Sequence, residues 1–189
     1  GSDITSDAHE TRSVALGDVD GDGDLDLVAG NHDSANRIYL NNGTANPFGG
    51  VSGSTITYDS NNTLSVALGD VDGDGDLDAF VSTTSGFDIW LNDGTGQFTD
   101  SGQSIGGYGS QCVELGDMDA DGDLDALVGY YDTPDTLYLN NGSGVFASAG
   151  QSMSSGFSIS LGVADLDGED DAAASGTGLL VAIHAHQGG

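Results

Sequence analysis

Leu16-Gly-Asp-Val-Asp-Gly-Asp-Gly-Asp-Leu-Asp26 decides how this chain is read. The same eleven residues return at Leu68–Asp78, and a near copy, LGDMDADGDLD, fills Leu115–Asp125. Each copy sets five aspartates at alternate positions: Asp18, Asp20, Asp22, Asp24 and Asp26; Asp70, Asp72, Asp74, Asp76 and Asp78; Asp117, Asp119, Asp121, Asp123 and Asp125. Like charges this close repel one another, so such a loop needs a cation to gather it. The donors are all hard oxygens, and a divalent ion taking about six to eight of them fits that chemistry. Calcium is the expected ion, at three sites. The plainer alternative, a solvated acidic turn, gives no reason for one spacing to recur three times.

The rest of the composition follows from these loops. The chain of 189 residues carries a formal charge of −29, with 31 acids, two arginines (Arg12 and Arg37) and no lysine. Fifteen acids lie in the three loops and five more between Asp165 and Asp171, which leaves eleven for the remainder. The charge is therefore gathered in sites rather than spread as a solvating skin. Three divalent ions would still leave the formal charge at −23 from −29, which argues against nucleic acid or an anionic membrane as partner. Apolar residues make up 37% and recur in phase with the acids, unlike an acidic disordered tail. No apolar run approaches the ~20 residues of a transmembrane helix, so no membrane insertion is expected. Cys112 is the only cysteine, which excludes an internal disulfide; it reads as a small buried residue.

The first loop aspartates, Asp18, Asp70, Asp117 and Asp165, lie 52, 47 and 48 residues apart. Each unit has an apolar run into the acidic loop and another out of it. An alternating segment follows, ending in a polar turn: IYLNNG from Ile38, IWLNDG from Ile89, LYLNNG from Leu137. Short runs rich in β-branched and aromatic residues, cut by Asn-Gly and Asp-Gly, read as antiparallel hairpins. Helical spacing is absent. The expectation is one all-β domain over 1–189, a β-propeller of four repeats with about four strands each. The blades fall near 12–60, 64–105, 111–153 and 158–189.

ITSDAHETRSVALGD from Ile4 lines up without a gap on ITYDSNNTLSVALGD from Ile56, and IHAHQG from Ile183 is matched to IYLNNG. A closing strand over 3–8 is therefore expected to complete the last blade and remove the open edge. The number of blades stays open at this point. Four repeats could form a small ring, pair as a homodimer of eight blades, or belong to a larger ring.

Tandem D-x-D-x-D-G-x-x-D loops between short strands resemble the FG-GAP and VCBS repeats, which form the calcium-binding blades of integrin alpha-subunit propellers and of many secreted bacterial proteins. The resemblance covers essentially the whole chain. It implies that loop positions one, three, five and nine give side-chain oxygens. It further implies that position seven, held by Asp24, Asp76 and Asp123, gives its backbone carbonyl. Gly23, Gly75 and Gly122 stand where such a loop turns sharply. Leu25, Leu77 and Leu124 are expected to point inward. The stretch Asp165–Asp171 lacks the turn glycine, reads as shortened by one or two residues, and is expected to bind metal weakly or not at all.

The resemblance also implies a non-enzymatic recognition or adhesion module, secreted or at a bacterial cell surface, with a protein or glycan ligand. A calcium-dependent lectin, or an accessory propeller of a polysaccharide-degrading enzyme, is the alternative. No G-x-S-x-G elbow, H-E-x-x-H helix or phosphate-cradling loop is present, and no catalytic residues are assigned. Two arginines and no lysine argue against a lyase acting on anionic polymers. Asp33, Asp88 and Asp132 read as turn residues. His184 and His186 would share one face of a strand, but alignment gives them the packing and turn places of Tyr39 and Asn41. Tyr39, Trp90 and Tyr138 recur once per repeat and read as packing between blades. Tyr130 and Tyr131, placed in a loop, are the expected exposed ligand contacts.

Overall fold

Each run bounded by a glycine- or asparagine-rich turn becomes one strand of an antiparallel meander. The chain is described here by a computed structural model covering residues 9–57, 62–152, 158, 160–165 and 179–184. The first sheet holds β1 (Glu10–Gly17), β2 (Asp26–His32), β3 (Arg37–Tyr39) and β4 (Ser54–Thr55), hydrogen-bonded in that order. The second holds β5 (Thr63–Gly69), β6 (Asp78–Thr83), β7 (Gly86–Asn92) and β8 (Phe98–Ile105). The third holds β9 (Ser110–Gly116), β10 (Asp125–Tyr130), β11 (Thr136–Leu139) and β12 (Ala147–Ser152). A fourth sheet pairs β13 (Ser160–Asp165) with β14 (Leu179–His184).

The protein is thus all-β, with three four-stranded antiparallel sheets, as the repeats predict. The closing strand expected over 3–8 lies outside the described residues. So does most of the Asp165–Asp171 stretch.

The core lies in slabs between successive sheets. Val28, Ile38 and Ile56 of the first unit pack with Val66, Ala79, Val81 and Trp90 of the second. Phe80, Phe87 and Ile89 meet Val113, Val128, Tyr130, Tyr138 and Phe146 of the third. Cys112 and Leu127 meet Leu161 of β13. A sheet sandwiched this way buries both faces, which is why the second strands β6 and β10 are buried at every residue. First strands pack on first strands: β5 on β1, β9 on β5 and β13 on β9. Successive sheets thus stack face to face in chain order.

Among the described residues, the first sheet's outer face has no such cover. Val66 and Val113 are buried, yet their counterpart Val14 is 58% exposed. Leu68, Leu77, Leu115 and Leu124 pack against the slabs, whereas Leu16 and Leu25 are each 58% exposed. The expectation that all three loop leucines point inward thus holds for Leu77 and Leu124 and fails for Leu25. The physical reason is positional. Leu77 lies on Gly17 and Leu124 on Gly69 of the preceding sheet, and among the described residues no such sheet covers Leu25.

The fourth unit also departs from expectation. Ile183 pairs with Leu161 of β13, so IHAHQG does not begin a third strand; His184 sits opposite Ser160 in a second strand. His186 lies outside the described residues. Ala164, which stands where Gly17 does, pairs with Leu180, which takes the place of Asp26. Residues 166–178, which join that pair, lie outside the described residues, and the expected shortening of the fourth loop falls on them.

Candidate metal centre

Each acidic loop is the connection from the first strand to the second strand of its sheet. The pairs Gly17–Asp26, Gly69–Asp78 and Gly116–Asp125 close it at identical register. Inside it the chain turns on a left-handed residue that only glycine adopts without strain: Gly23 at φ 91°, Gly75 at 96° and Gly122 at 95°. The glycine amides then point back at the first carboxylate. Gly23 N–H donates to Asp18 Oδ2 at 2.9 Å, Gly75 N–H to Asp70 Oδ2 at 3.0 Å, and Gly122 N–H to Asp117 Oδ2 at 3.0 Å. A second left-handed position falls on Gly21 and Gly73, but in the third loop on Ala120, at φ 64°.

The folded loops bring carboxylates together without any basic partner in the sequence between them. Asp18, Asp20 and Asp22 each offer an oxygen within 4.8 Å of the others, as do Asp70, Asp72 and Asp78, and Asp117, Asp119 and Asp125. Positions one and three are common to all three groups. The third member is position five in the first loop and position nine in the others. Each group is an oxygen-only site that could hold a metal ion, and the donor set suits a hard divalent cation.

Electrostatics point the same way. Asp20, Asp72 and Asp119, all at position three, have their carboxyls raised above the ordinary range, first by desolvation and then by neighbouring loop carboxylates. Burial raises Asp125, and pushes Asp78 up to about 6 against two backbone hydrogen bonds that favour its charge. Without a counter-cation, these groups lean toward taking up a proton. A divalent ion relieves the same cost.

Position nine has a role that sequence reading did not find. Asp26, Asp78 and Asp125 are at most 1% exposed, and each clamps two backbone amides. Asp26 accepts from Val19 N–H at 3.0 Å and Asn41 N–H at 2.7 Å. Asp78 accepts from Val71 at 3.0 Å and Asn92 at 2.9 Å, and Asp125 from Met118 at 2.8 Å and Asn140 at 2.9 Å. One carboxylate thus ties the start of the loop to the end of the third strand. Asn41, Asn92 and Asn140 head the recurring N-N-G and N-D-G turns, so their recurrence was the available signal.

Position seven is different again. The Asp76 carboxylate lies 2.5 Å from where a β-carbon on Gly94 would stand, Asp123 2.5 Å from one on Gly142, and Asp24 3.0 Å from one on Gly43. These side chains pack on the turn glycine and join none of the three carboxylate groups.

A model of the FG-GAP-like repeat matches three overlapping stretches, residues 18–81, 70–128 and 117–172. The chain belongs to the FG-GAP-like repeat family. Each match begins on the first aspartate of a loop and runs past the start of the next.

Among solved structures, the chain is similar to that of BBS1N in complex with ARL6DN, at 14% identity and a TM-score of 0.55. The likeness covers 83% of this chain and 48% of that one. It is also similar to the V. cholerae biofilm matrix protein Bap1, at 19% identity and a TM-score of 0.44, over 93% of this chain and 28% of that one. The chain therefore spans less than half the length of either. No curated protein matches it.

The aromatic residues complete the site's surroundings. Tyr39, Trp90 and Tyr138 are buried, as the packing reading expects. Tyr130 is not the exposed contact expected. It ends β10 at 5% exposure, its hydroxyl 3.0 Å from that of Tyr138 and its ring 6.5 Å from that of Phe87. The aromatic slab draws it in, and burial raises its phenol well above the ordinary range. Tyr131, one residue on, is 51% exposed. Asp88 lies within β7 rather than in a turn.

Proposed function

We propose that this FG-GAP-like chain is a non-enzymatic calcium-binding propeller module of a secreted or cell-surface protein, acting in recognition or adhesion. The observation that carries the calcium reading is the threefold one: three loops of the same register, each gathering three carboxylate oxygens within 4.8 Å. Bound calcium would supply positive charge and coordination that hold each loop in its folded form, stabilising the protein by preferring the native state. Asp18, Asp20 and Asp22 of the first loop, Asp70, Asp72 and Asp78 of the second, and Asp117, Asp119 and Asp125 of the third would provide ligands. The position-nine clamps orient the loops, and position seven would contribute its backbone carbonyl.

The test is thermal unfolding of metal-stripped protein with and without millimolar calcium. A rise of many degrees is expected, and coincident melts would overturn the reading. Magnesium serves as the control, since a smaller ion with stricter octahedral geometry should stabilise less.

Ring closure belongs to the same proposal. The uncovered face of Val14, Leu16 and Leu25 repeats the positions that meet the preceding blade elsewhere, so a further blade is the natural cover. Light scattering separates a monomer from an eight-bladed pair.

A second reading, calcium-dependent glycan binding, has one observation in its favour. Tyr108 and Tyr131, 86% and 51% exposed, stand on neighbouring loops joined by a hydrogen bond from Tyr131 N–H to the Gly109 carbonyl at 2.8 Å. Exposed aromatic rings of this kind suit sugar stacking. A glycan array with and without chelator tests it, and binding that survives Tyr131→Ala counts against it.

A further inference from the structure

The loops are not separate in space. Asn92, whose backbone N–H is held by Asp78 of the second loop, donates its side-chain amide to the carbonyl of Val19 in the first loop at 2.8 Å. Val19 in turn gives its own N–H to Asp26. The next blade repeats the device. Asn140, held through its N–H by Asp125, donates its side-chain amide to the Val71 carbonyl at 2.7 Å. Val71 gives its N–H to Asp78 and also accepts Gly144 N–H at 2.8 Å.

The links join head to tail. A single chain of hydrogen bonds runs Asp26, Val19, Asn92, Asp78, Val71, Asn140, Asp125, Met118, through the position-nine carboxylate of every loop. From Asp26 to Asn140 and Asp125 its members are buried, none more than 6% exposed.

We propose that this chain couples the three calcium sites, so that filling one loop favours filling its neighbour. The proposal rests on the calcium reading above and goes beyond it. The physical basis is local. A loop without cation keeps the repulsion of its own charges, which works against the clamp its position-nine carboxylate makes on that amide, and a bound cation would relieve it. Ordering one loop fixes the peptide of Val19 or Val71, and that peptide's carbonyl fixes the asparagine holding the next carboxylate. Buried hydrogen bonds in series polarise and orient one another, so each makes the next less costly to order. Coupling of this kind is reciprocal between sites.

The topology makes the coupling specific to neighbours. Among the described residues, these asparagine links join the middle loop to both others and do not join the first to the third. Asn92 and Asn140 are positioning residues here. Asn41 is their counterpart on the first blade, and its side-chain amide donates at 3.0 Å to Leu25 of its own loop.

The experiment follows the loop amides of Gly23, Gly75 and Gly122 by heteronuclear NMR while calcium is added to metal-stripped full chain. Asp20→Asn, which weakens the first site, is expected to raise the calcium midpoint of the second loop by about fivefold or more and that of the third by less. Asn92→Ala should abolish that transfer, while Asn41→Ala should leave it intact. Midpoints at Gly75 and Gly122 that ignore Asp20→Asn would overturn the coupling and leave the calcium reading standing. Equal transfer with and without Asn92 would overturn it too. No response of any loop to calcium would overturn the calcium reading itself. If Asn92→Ala does not fold, the wild-type and Asp20→Asn titrations alone decide the matter.

Discussion

Leu77 sits on Gly17, sixty residues earlier in the chain, so closely that a β-carbon at Gly17 would stand 2.6 Å from Leu77 Cδ1. Leu124 meets Gly69 in the same way, at 2.7 Å. The glycine before the first and the second acidic loop is thus the seat for the loop leucine of the following sheet. Gly17→Ala and Gly69→Ala should each destabilise by about 1–3 kcal/mol through overpacking. Urea unfolding in saturating calcium measures this, and a neutral result at both positions would contradict the blade-to-blade packing.

Positions three and nine should separate under substitution. Asp78→Asn replaces one accepting oxygen with a donor that faces a buried amide, so it should cost about 1–3 kcal/mol even in metal-stripped protein. Asp20→Asn keeps an accepting oxygen at a partly exposed site, and should change metal-free stability little while shrinking the gain from calcium. Paired melts of the two variants, each with and without calcium, make the comparison.

The pH dependence has a definite sign. Asp78 ionises near 6 in the metal-free folded protein against an ordinary value of 3.8, because burial opposes its charge. The folded state therefore binds more protons than the unfolded state between those values, and metal-free stability falls as pH rises across that window. Asp20, Asp72, Asp119 and Asp125 shift in the same direction. Metal-stripped protein should melt higher at pH 5 than at pH 7.5, while the increment from calcium narrows as protons compete for the same oxygens. A metal-stripped melting point that falls on acidification to pH 5 would contradict this.

Ala120 holds a left-handed backbone at φ 64° where the other two loops place Gly21 and Gly73. A residue with a β-carbon pays about 1–2 kcal/mol there, partly offset by glycine's greater freedom when unfolded. Ala120→Gly should therefore stabilise by about 0.5–1 kcal/mol, read as a rise in the urea midpoint. Destabilisation would show that the third loop is built differently.

Cys112 reports on the contact between the third and fourth sheets. It is buried, with Sγ 3.8 Å from the Ser158 carbonyl oxygen, and burial pushes its thiol up to about 12. Iodoacetamide at pH 8 should label it only when the protein is unfolded, because the thiolate is the nucleophile. Rapid labelling of the folded chain would mean that β13 does not cover it.

The all-β class, the repeat and the three acidic loops were legible in the sequence. All of them rest on local chemistry: alternating apolar residues, turn glycines, and carboxylates at fixed spacing. The same residues could not tell Leu25 from Leu77 or Tyr130 from Tyr131. Within each pair the chemistry is the same, and only a neighbouring sheet buries one and leaves the other exposed. Nor could spacing show that Leu180 replaces Asp26 opposite Ala164, because strand pairing rather than residue count sets that register. Identical loops stated what each site is made of. The link from Asn92 to Val19 required tertiary structure, since it joins residues 73 apart that meet only when one blade stacks on the next.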